Sequence, residues 1–184
     1  SGVSDVVTGA SAAMAEYNGA GKASHIKDKL IEMMHLTESL YCCSVACSAE
    51  GGQLPSGTYY PDPMLGNIVK QNVTRNIYEI DRLSHDIAGG LIATLPSEQD
   101  FEDPEIGRKL KKYLAGKADY PVGDRYRMAR LLENMTGGTA LVESMHGAGS
   151  PQAQRIMMYR MGNLPMKVKL AQRLAGIDRE KEKK

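Results

Sequence analysis

Aromatic residues are scarce in this sequence: its 184 residues include no tryptophan, one phenylalanine and nine tyrosines. Leucine, isoleucine, valine, alanine and the eleven methionines must therefore supply most of the core, which suits helices packed on helices. No apolar run approaches the roughly 18 residues that a membrane-spanning helix needs, so we expect no membrane protein. A chain of this length is expected to form one domain with a substantial core.

A large excess of charge of one sign is also missing. Lys+Arg number 23 and Asp+Glu number 22, so we expect neither a nucleic acid nor an anionic membrane surface as a partner. Only three cysteines are present and no signal peptide is recognisable, which favours the reducing cytoplasm over secretion. The sequence opens at Ser1 without a methionine, so we expect either processing or a segment of a longer protein.

Helix signals dominate the chain, and period-two alternation is nearly absent. Apolar residues recur in steps of three and four along two long segments, from about residue 26 to 47 and from 63 to 87. Three helix starts share a capping side chain followed by proline: Asp62-Pro63, Asp103-Pro104 and Ser150-Pro151. These signals predict an all-α fold, an antiparallel helical bundle over residues 1–177, with a charged tail at 178–184.

The three cysteines, Cys42, Cys43 and Cys47, all lie in the first long segment. Cys43 and Cys47 are four residues apart and share a helix face, but two thiolates make only half of a tetrahedral metal site. Free cysteine is among the most frequently buried residues. We therefore expect these cysteines to pack in the structure and expect no metal site in this chain.

A carboxylate and an imidazole lie three residues apart at Glu143 and His146, just before a glycine-rich turn that leads into the helix start at Ser150-Pro151. Glycines let a backbone approach a ligand closely, and a helix start offers free amides. A partly buried carboxylate beside such a turn can act as a general acid or base. The same residues also fit a plain capped turn between helices, so both interpretations stay open.

The glycine pair Gly89-Gly90 ends the second long segment. Taken by itself the pair is a helix C-cap. The Gly-x-Gly-x-x-Gly spacing of dinucleotide-binding folds is absent, as are a Walker loop and a zinc-protease motif. Residue patterns alone therefore indicate a helical bundle with one Glu-His-Gly turn of interest.

Four strings of the sequence resemble a known family: residues 25–35, 70–75, 86–90 and 143–155, which read HIKDKLIEMMH, KQNVTR, DIAGG and ESMHGAGSPQAQR. They are similar to the C-terminal domain of the 4-hydroxybutyryl-CoA dehydratase/vinylacetyl-CoA Δ-isomerase family, and the resemblance extends over nearly the whole chain. The wider superfamily is that of the flavin-dependent 4-hydroxyphenylacetate 3-hydroxylases, which have an acyl-CoA dehydrogenase-like fold. The resemblance therefore implies that the bundle is a C-terminal domain of this fold.

The resemblance implies a lyase and isomerase that converts 4-hydroxybutyryl-CoA to crotonyl-CoA by a radical mechanism and isomerises vinylacetyl-CoA. It also implies a homotetramer that binds an acyl-CoA, FAD and a [4Fe-4S] cluster, in which N-terminal and middle domains precede the C-terminal bundle. The family's cluster ligands would lie upstream of Ser1, so Cys42, Cys43 and Cys47 are not expected among them. We therefore expect this chain alone to be inactive as a dehydratase.

Site residues follow from the same resemblance. Glu143 matches the family's glutamate that is proposed to shuttle protons on the substrate, and His146 and Gly147 are expected to shape the substrate pocket. A glycine pair lies against the flavin pyrophosphate of a neighbouring subunit in acyl-CoA dehydrogenase folds, and amide or charged side chains pair with phosphate or ribose. The expected cofactor-binding residues are Gly89, Gly90, Gln71, Arg75 and Asp86.

Two other interpretations stay open. The chain could be a domain of a flavin-dependent aromatic hydroxylase of the 4-hydroxyphenylacetate 3-hydroxylase kind, although the string at 143–155 favours the dehydratase. It could also be a helical oligomerisation module without chemistry, in which Glu143 would be solvated or ion-paired and Gly89-Gly90 would be a plain cap.

Overall fold

The computed structural model describes residues 2–147 and 149–177, apart from the side chain of Met145. Within these residues the chain forms a helical bundle with one short β-hairpin, so the all-α prediction is confirmed. The strands are β1 (Gly52–Gln53) and β2 (Tyr59–Tyr60), which pair antiparallel. The helices are α1 (Gly2–Tyr17), α2 (Ser24–Ala49), α3 (Pro63–Ala88), α4 (Glu98–Glu102), α5 (Ile106–Tyr113), α6 (Val122–Thr136), α7 (Gly138–His146), α8 (Pro151–Met161) and α9 (Leu164–Leu174), with a 3-10 turn at Leu91–Thr94.

Helices α2 and α3 are the two long segments of the sequence, and they pack antiparallel along their whole length. Three contacts show the direction, because the residue numbers rise on one helix as they fall on the other. They are Lys29 Nζ to Asp86 Oδ2 at 2.6 Å, Asn76 Nδ2 to the Leu36 carbonyl at 3.4 Å, and Cys47 Sγ to the Asp62 carbonyl at 3.4 Å.

Helix α3 lies at the centre of the bundle and contacts α1, α2, α6, α7 and α8. Its buried stripe meets apolar residues of α1, α2 and α6 in the core cluster. The largest of the fully buried apolar side chains are Val7, Met14, Met33, Ile80 and Leu132. As expected from the composition, aliphatic and methionine side chains fill this core. The aromatic pair Phe101 and Tyr126 stacks at its edge, with ring centroids 4.3 Å apart.

Two of the three predicted proline starts are confirmed as helix N-caps. The Asp62 carboxylate accepts from the Leu65 amide at 2.7 Å, and the Ser150 hydroxyl accepts from the Ala153 amide at 3.4 Å. The third prediction is displaced, because Asp103 accepts from the amides of Glu105 and Ile106 while the helix itself begins at Ile106. The capping chemistry is therefore right there, but a turn precedes the first helical residue.

Several short elements were not predicted from the sequence: the hairpin, the 3-10 turn, α4 and α7. Each is only a few residues long, so hydrophobic periodicity cannot build up over it. Helix α7 carries the predicted site residue Glu143, and Gly137 separates it from α6. Among the described helices, none is both long and apolar enough to cross a membrane.

Candidate functional site

Helix α7 presents Glu143 on its exposed face. Thr139 and His146, one helical turn away on that face, are exposed as well, and so is the neighbouring Val142. The Glu143 carbonyl accepts from the Gly147 amide at 2.9 Å, so its backbone closes the last turn of the helix. The Glu143 backbone is thus fixed near the helix end, and its side chain is open to whatever lies against this face.

The turn after Glu143 is tied to the helix that follows it. Gly149 has a φ of +81°, a left-handed conformation that side chains rarely adopt, and its amide donates to the His146 carbonyl at 3.2 Å. The buried Gln154 on α8 donates from Nε2 to the Gly149 carbonyl at 3.3 Å. This predicted glycine turn therefore holds the end of α7 against the start of α8; Ala148 lies outside the described residues.

A cavity of about 370 Å³ lies on the other side of α7, among α1, α2 and α3. Ser144 lines it together with Leu36, Thr37, Val73 and Ile77. Successive residues of an α-helix point about 100° apart, so Glu143 does not follow Ser144 into this cavity. The structure accordingly places the predicted catalytic carboxylate on the surface rather than in an enclosed pocket of this chain.

The glycine pair Gly89-Gly90 adopts the left-handed conformation at both residues, with φ values of 72° and 75°. A Cβ added at either position would meet no atom within 4 Å, so backbone is presented openly to the surface. The Gly89 amide donates to the Asp86 carbonyl at 3.2 Å and caps α3. This open turn fits the close approach of a pyrophosphate, and it also fits a plain cap.

The other predicted flavin residues do not gather around this turn. Along the axis of α3, Gln71 lies about 27 Å from Gly89 and Arg75 lies about 21 Å from it. Gln71 donates from Nε2 to the Thr74 hydroxyl at 3.1 Å, and Arg75 is exposed. The structure therefore divides the five candidates into two groups on α3.

Asp86, next to the glycine pair, is already engaged in an ion pair. Its hydrogen bond from the Lys29 ammonium, at 2.6 Å, lowers the pKa of the Asp86 carboxyl below its ordinary value. The pair joins α3 to α2 at the surface. A ribose or phosphate contact would have to compete with Lys29 or include it.

The cysteines are free thiols, and their predicted packing is only partly observed. Cys47 donates to the Asp62 carbonyl and is half-buried, as is Cys43, but Cys42 is exposed because it lies off the buried stripe of α2. In the described part of the chain, no three His, Cys, Asp or Glu side chains converge as metal ligands.

Two features of the site region were missed by reasoning from the sequence. His85 Nε2 lies 2.6 Å from Thr136 Oγ1, which joins the end of α3 to the end of α6 just before α7. Asp81 on α3 is 4% exposed, and neither of its oxygens has a hydrogen-bond partner among the described residues. His85 is recognisable in the sequence as a histidine on a predicted helix, but no local signal predicts its contact with Thr136 or the burial of Asp81, although Asp81 does share the helical stripe of Ile77 and Ile80.

Comparison with known proteins identifies the family. The model of the 4-hydroxyphenylacetate 3-hydroxylase C-terminal family matches residues 1–176. A 4-hydroxybutyryl-CoA dehydratase/vinylacetyl-CoA-Delta-isomerase from Clostridium aminobutyricum is 54% identical over 96% of this chain, and the match spans 38% of that protein. A 4-hydroxyphenylacetate 3-monooxygenase oxygenase component from Thermus thermophilus is 29% identical over 70% of the chain and 26% of its own length.

Solved structures give the same result. An oxygen-tolerant archaeal 4-hydroxybutyryl-CoA dehydratase from N. maritimus matches with a TM-score of 0.91 and 54% identity over 95% of this chain and 36% of its own. An oxygenase component of 4-hydroxyphenylacetate 3-monooxygenase, complexed with FAD and 4-hydroxyphenylacetate, matches with a TM-score of 0.81 and 25% identity over 94% of this chain and 37% of its own. The chain thus spans little more than a third of these relatives, and it belongs to the 4-hydroxyphenylacetate 3-hydroxylase C-terminal family.

Proposed function

We propose that this chain serves as the C-terminal domain of an FAD- and [4Fe-4S]-dependent 4-hydroxybutyryl-CoA dehydratase/vinylacetyl-CoA Δ-isomerase. The observation that carries the proposal is the 54% identity over 96% of the chain to a protein of that name. The match to a dehydratase structure at the same identity supports it, with a TM-score of 0.91. Since these relatives are more than twice as long, the complete substrate site would include protein outside this chain.

Glu143 is the proposed proton-transfer residue. Isomerising vinylacetyl-CoA to crotonyl-CoA removes a proton from the carbon next to the thioester and adds one at the far end of the acyl chain, so one carboxylate can do both. Glu143 stands on the open face of α7, where a substrate held by other parts of the enzyme can reach it. His146, one turn on, and Gly147 would line the same face.

The flavin is proposed to lie against the Gly89-Gly90 turn. Both glycines leave the backbone open to a phosphate, which fits a pyrophosphate contact. When bound, FAD would supply the one-electron oxidation that acidifies the β-position of a saturated hydroxyacyl group. The other proposed flavin contacts are Gln71, Arg75 and Asp86. Because Gln71 and Arg75 lie far from the glycine turn, we propose that they contact a different part of the FAD, or the FAD of a different subunit.

A cluster site does not form from this chain's described side chains, since no three potential ligands converge among them. We therefore derive no step of the reaction from the cluster and propose that its ligands lie in protein outside this chain. The proposal also includes a homotetramer that works in the cytoplasm, where cysteines such as these three stay reduced.

A flavin-dependent aromatic hydroxylase is the second candidate. The family name and the relatives at 25–29% identity favour it, because they include hydroxylase oxygenase components. The dehydratase is the better supported of the two, because the identity to it is about twice as high. A helical oligomerisation module without chemistry is a third candidate, which the exposed position of Glu143 would suit.

The test is Glu143→Gln in the complete enzyme, with Glu38→Gln on the exposed face of α2 as the matched control. We expect the change at 143 to lower the kcat for vinylacetyl-CoA isomerisation by at least about a hundredfold while FAD content is unchanged, and the control to keep wild-type turnover. Unchanged turnover in the Glu143 variant would refute its role. Hydroxylation of 4-hydroxyphenylacetate without any conversion of acyl-CoA would favour the second candidate.

A further inference from the structure

Charge is divided unevenly along the chain, although the total is close to zero. Residues 1–143 contain 19 Asp+Glu and 14 Lys+Arg. Residues 144–177 contain five cationic residues and no acid at all. The cations are Arg155, Arg160, Lys167, Lys169 and Arg173. The stretch without acids begins directly after Glu143, and its five cations make helices α8 and α9 a cationic region.

This region is also open and partly apolar. Most residues of α8 are exposed apart from the stripe around Gln154 that faces α3, and nearly all of α9 is exposed. The corner between the two helices holds a cavity of about 640 Å³, within the size range of small-molecule sites. It is lined by Tyr159, Arg160, Asn163, Leu164, Val168 and Lys169.

We propose that this corner, the α8–α9 corner, binds the nucleotide end of the CoA thioester whose acyl group reaches Glu143. The inference rests on the proposed function and adds a binding site to it. Arg160 and Lys169 supply positive charge for phosphates, and no acid between residues 144 and 177 opposes it. Tyr159 is 73% exposed, and its ring offers a face on which an adenine stacks.

The position of the corner suits a long substrate with an acyl group at one end and phosphates at the other. Glu143 lies in the last turn of α7, and the Gly149 turn leads straight into α8. The eleven residues of α8 rise about 16 Å between that turn and the α8–α9 corner. Arg155 and Ile156 lie exposed on α8 between these two ends. The part of the CoA thioester that joins the acyl group to the nucleotide would therefore pass one cationic and one apolar side chain.

The test compares thioesters with and without the nucleotide. In the complete enzyme, the corner variant carries the double substitution Arg160→Glu/Lys169→Glu. The control variant carries Arg108→Glu/Lys109→Glu at two exposed residues of α5, which changes the net charge by the same amount. We expect the corner variant to raise the KM for vinylacetyl-CoA roughly tenfold or more, with little change in kcat, and to leave the KM for the pantetheine thioester unchanged. Titration of free CoA by calorimetry should show the same loss of affinity.

Three results would overturn the proposal. One is an unchanged KM in the corner variant, and another is an equal rise in the α5 control, which would indicate only overall charge. The third is a change of oligomeric state without a change in CoA affinity, which would mean that a second copy covers the corner. If the wild-type enzyme converts no acyl-CoA, the proposed function fails, whereas the CoA titration of wild type and variant still decides whether the corner binds a nucleotide.

Discussion

The imidazole of His85 and the hydroxyl of Thr136 fix the end of α3 to the end of α6, with Nε2 and Oγ1 2.6 Å apart. Thr136 donates its only hydroxyl hydrogen to the Leu132 carbonyl at 2.7 Å. With that hydrogen on the Leu132 carbonyl, the contact forms in the imidazole tautomer that carries its hydrogen on Nε2. Because α7 begins two residues after Thr136, this contact positions the helix that carries Glu143.

Replacing Thr136 by valine keeps the shape of the side chain and removes the acceptor for His85. We expect the free energy of unfolding to fall by about 1 kcal/mol, since the partner nitrogen loses its hydrogen bond in a partly buried place. Urea denaturation measures the change. Thr139→Val, on the exposed face of α7, is the control and should alter stability little; equal effects of both changes would argue against the contact.

The buried Asp81 should make the stability of the protein depend on pH. Burial raises the pKa of its carboxyl from an ordinary 3.8 to about 7. A carboxyl with a raised folded-state pKa favours the native state most when it is protonated, below about pH 4, and this contribution is lost as the pH rises through 7. In the wild type we expect this carboxyl to lower the free energy of unfolding by about 4 kcal/mol between pH 4 and pH 8. The Asp81→Asn variant should lack this decrease, and urea denaturation across that range measures it.

Asp86 provides a comparison of opposite sign. The hydrogen bond from Lys29 lowers the pKa of the Asp86 carboxyl, so its contribution is present above about pH 4 and is lost as the pH falls. Asp86→Asn should therefore cost stability at neutral pH and little in acid. If Asp81→Asn and Asp86→Asn changed the pH dependence of the free energy of unfolding in the same way, the raised pKa assigned to the burial of Asp81 would be contradicted.

The Gly89-Gly90 turn should reject alanine through its backbone conformation alone. Each φ is left-handed and each Cβ would enter open space, so we expect a loss of roughly 1 kcal/mol for either substitution without any clash. Gly9→Ala inside α1, where a Cβ also meets nothing, should instead stabilise the protein by roughly 0.5 kcal/mol. Thermal unfolding of the three variants checks the sign, and FAD content in the complete enzyme checks whether the flavin touches the turn.

The long elements of this fold could be predicted from the sequence because their signals are local. Stripes of apolar residues predict α2 and α3, and Asp62 and Ser150 mark helix starts through the same side-chain hydrogen bonds that the structure contains. Asp103 shows the limit of this reasoning, since its capping bonds form while the helix starts later. Short α7 gives no periodic signal at all.

The candidate site could be predicted only in part. The resemblance at residues 143–155 singled out Glu143, but whether a residue of α7 faces the cavity or the surface depends on how α7 packs against α3. Gln71 and Asp86 both resemble flavin residues in the sequence. Their separation along α3 follows from helix geometry, and the engagement of Asp86 by Lys29 follows from the pairing of α2 with α3.

The sequence by itself determined the helical class, the long helices, the family and the acid-free stretch from residue 144 to 177, because each depends on the order of residues alone. Only the tertiary structure decided that Asp81 is buried without a hydrogen-bond partner among the residues the structure describes, that His85 meets Thr136, and that Tyr159 and Lys169 share one corner. Such contacts join residues of different elements. They exist only once the bundle packs, because burial and long-range hydrogen bonds depend on the whole set of neighbours rather than on adjacent residues.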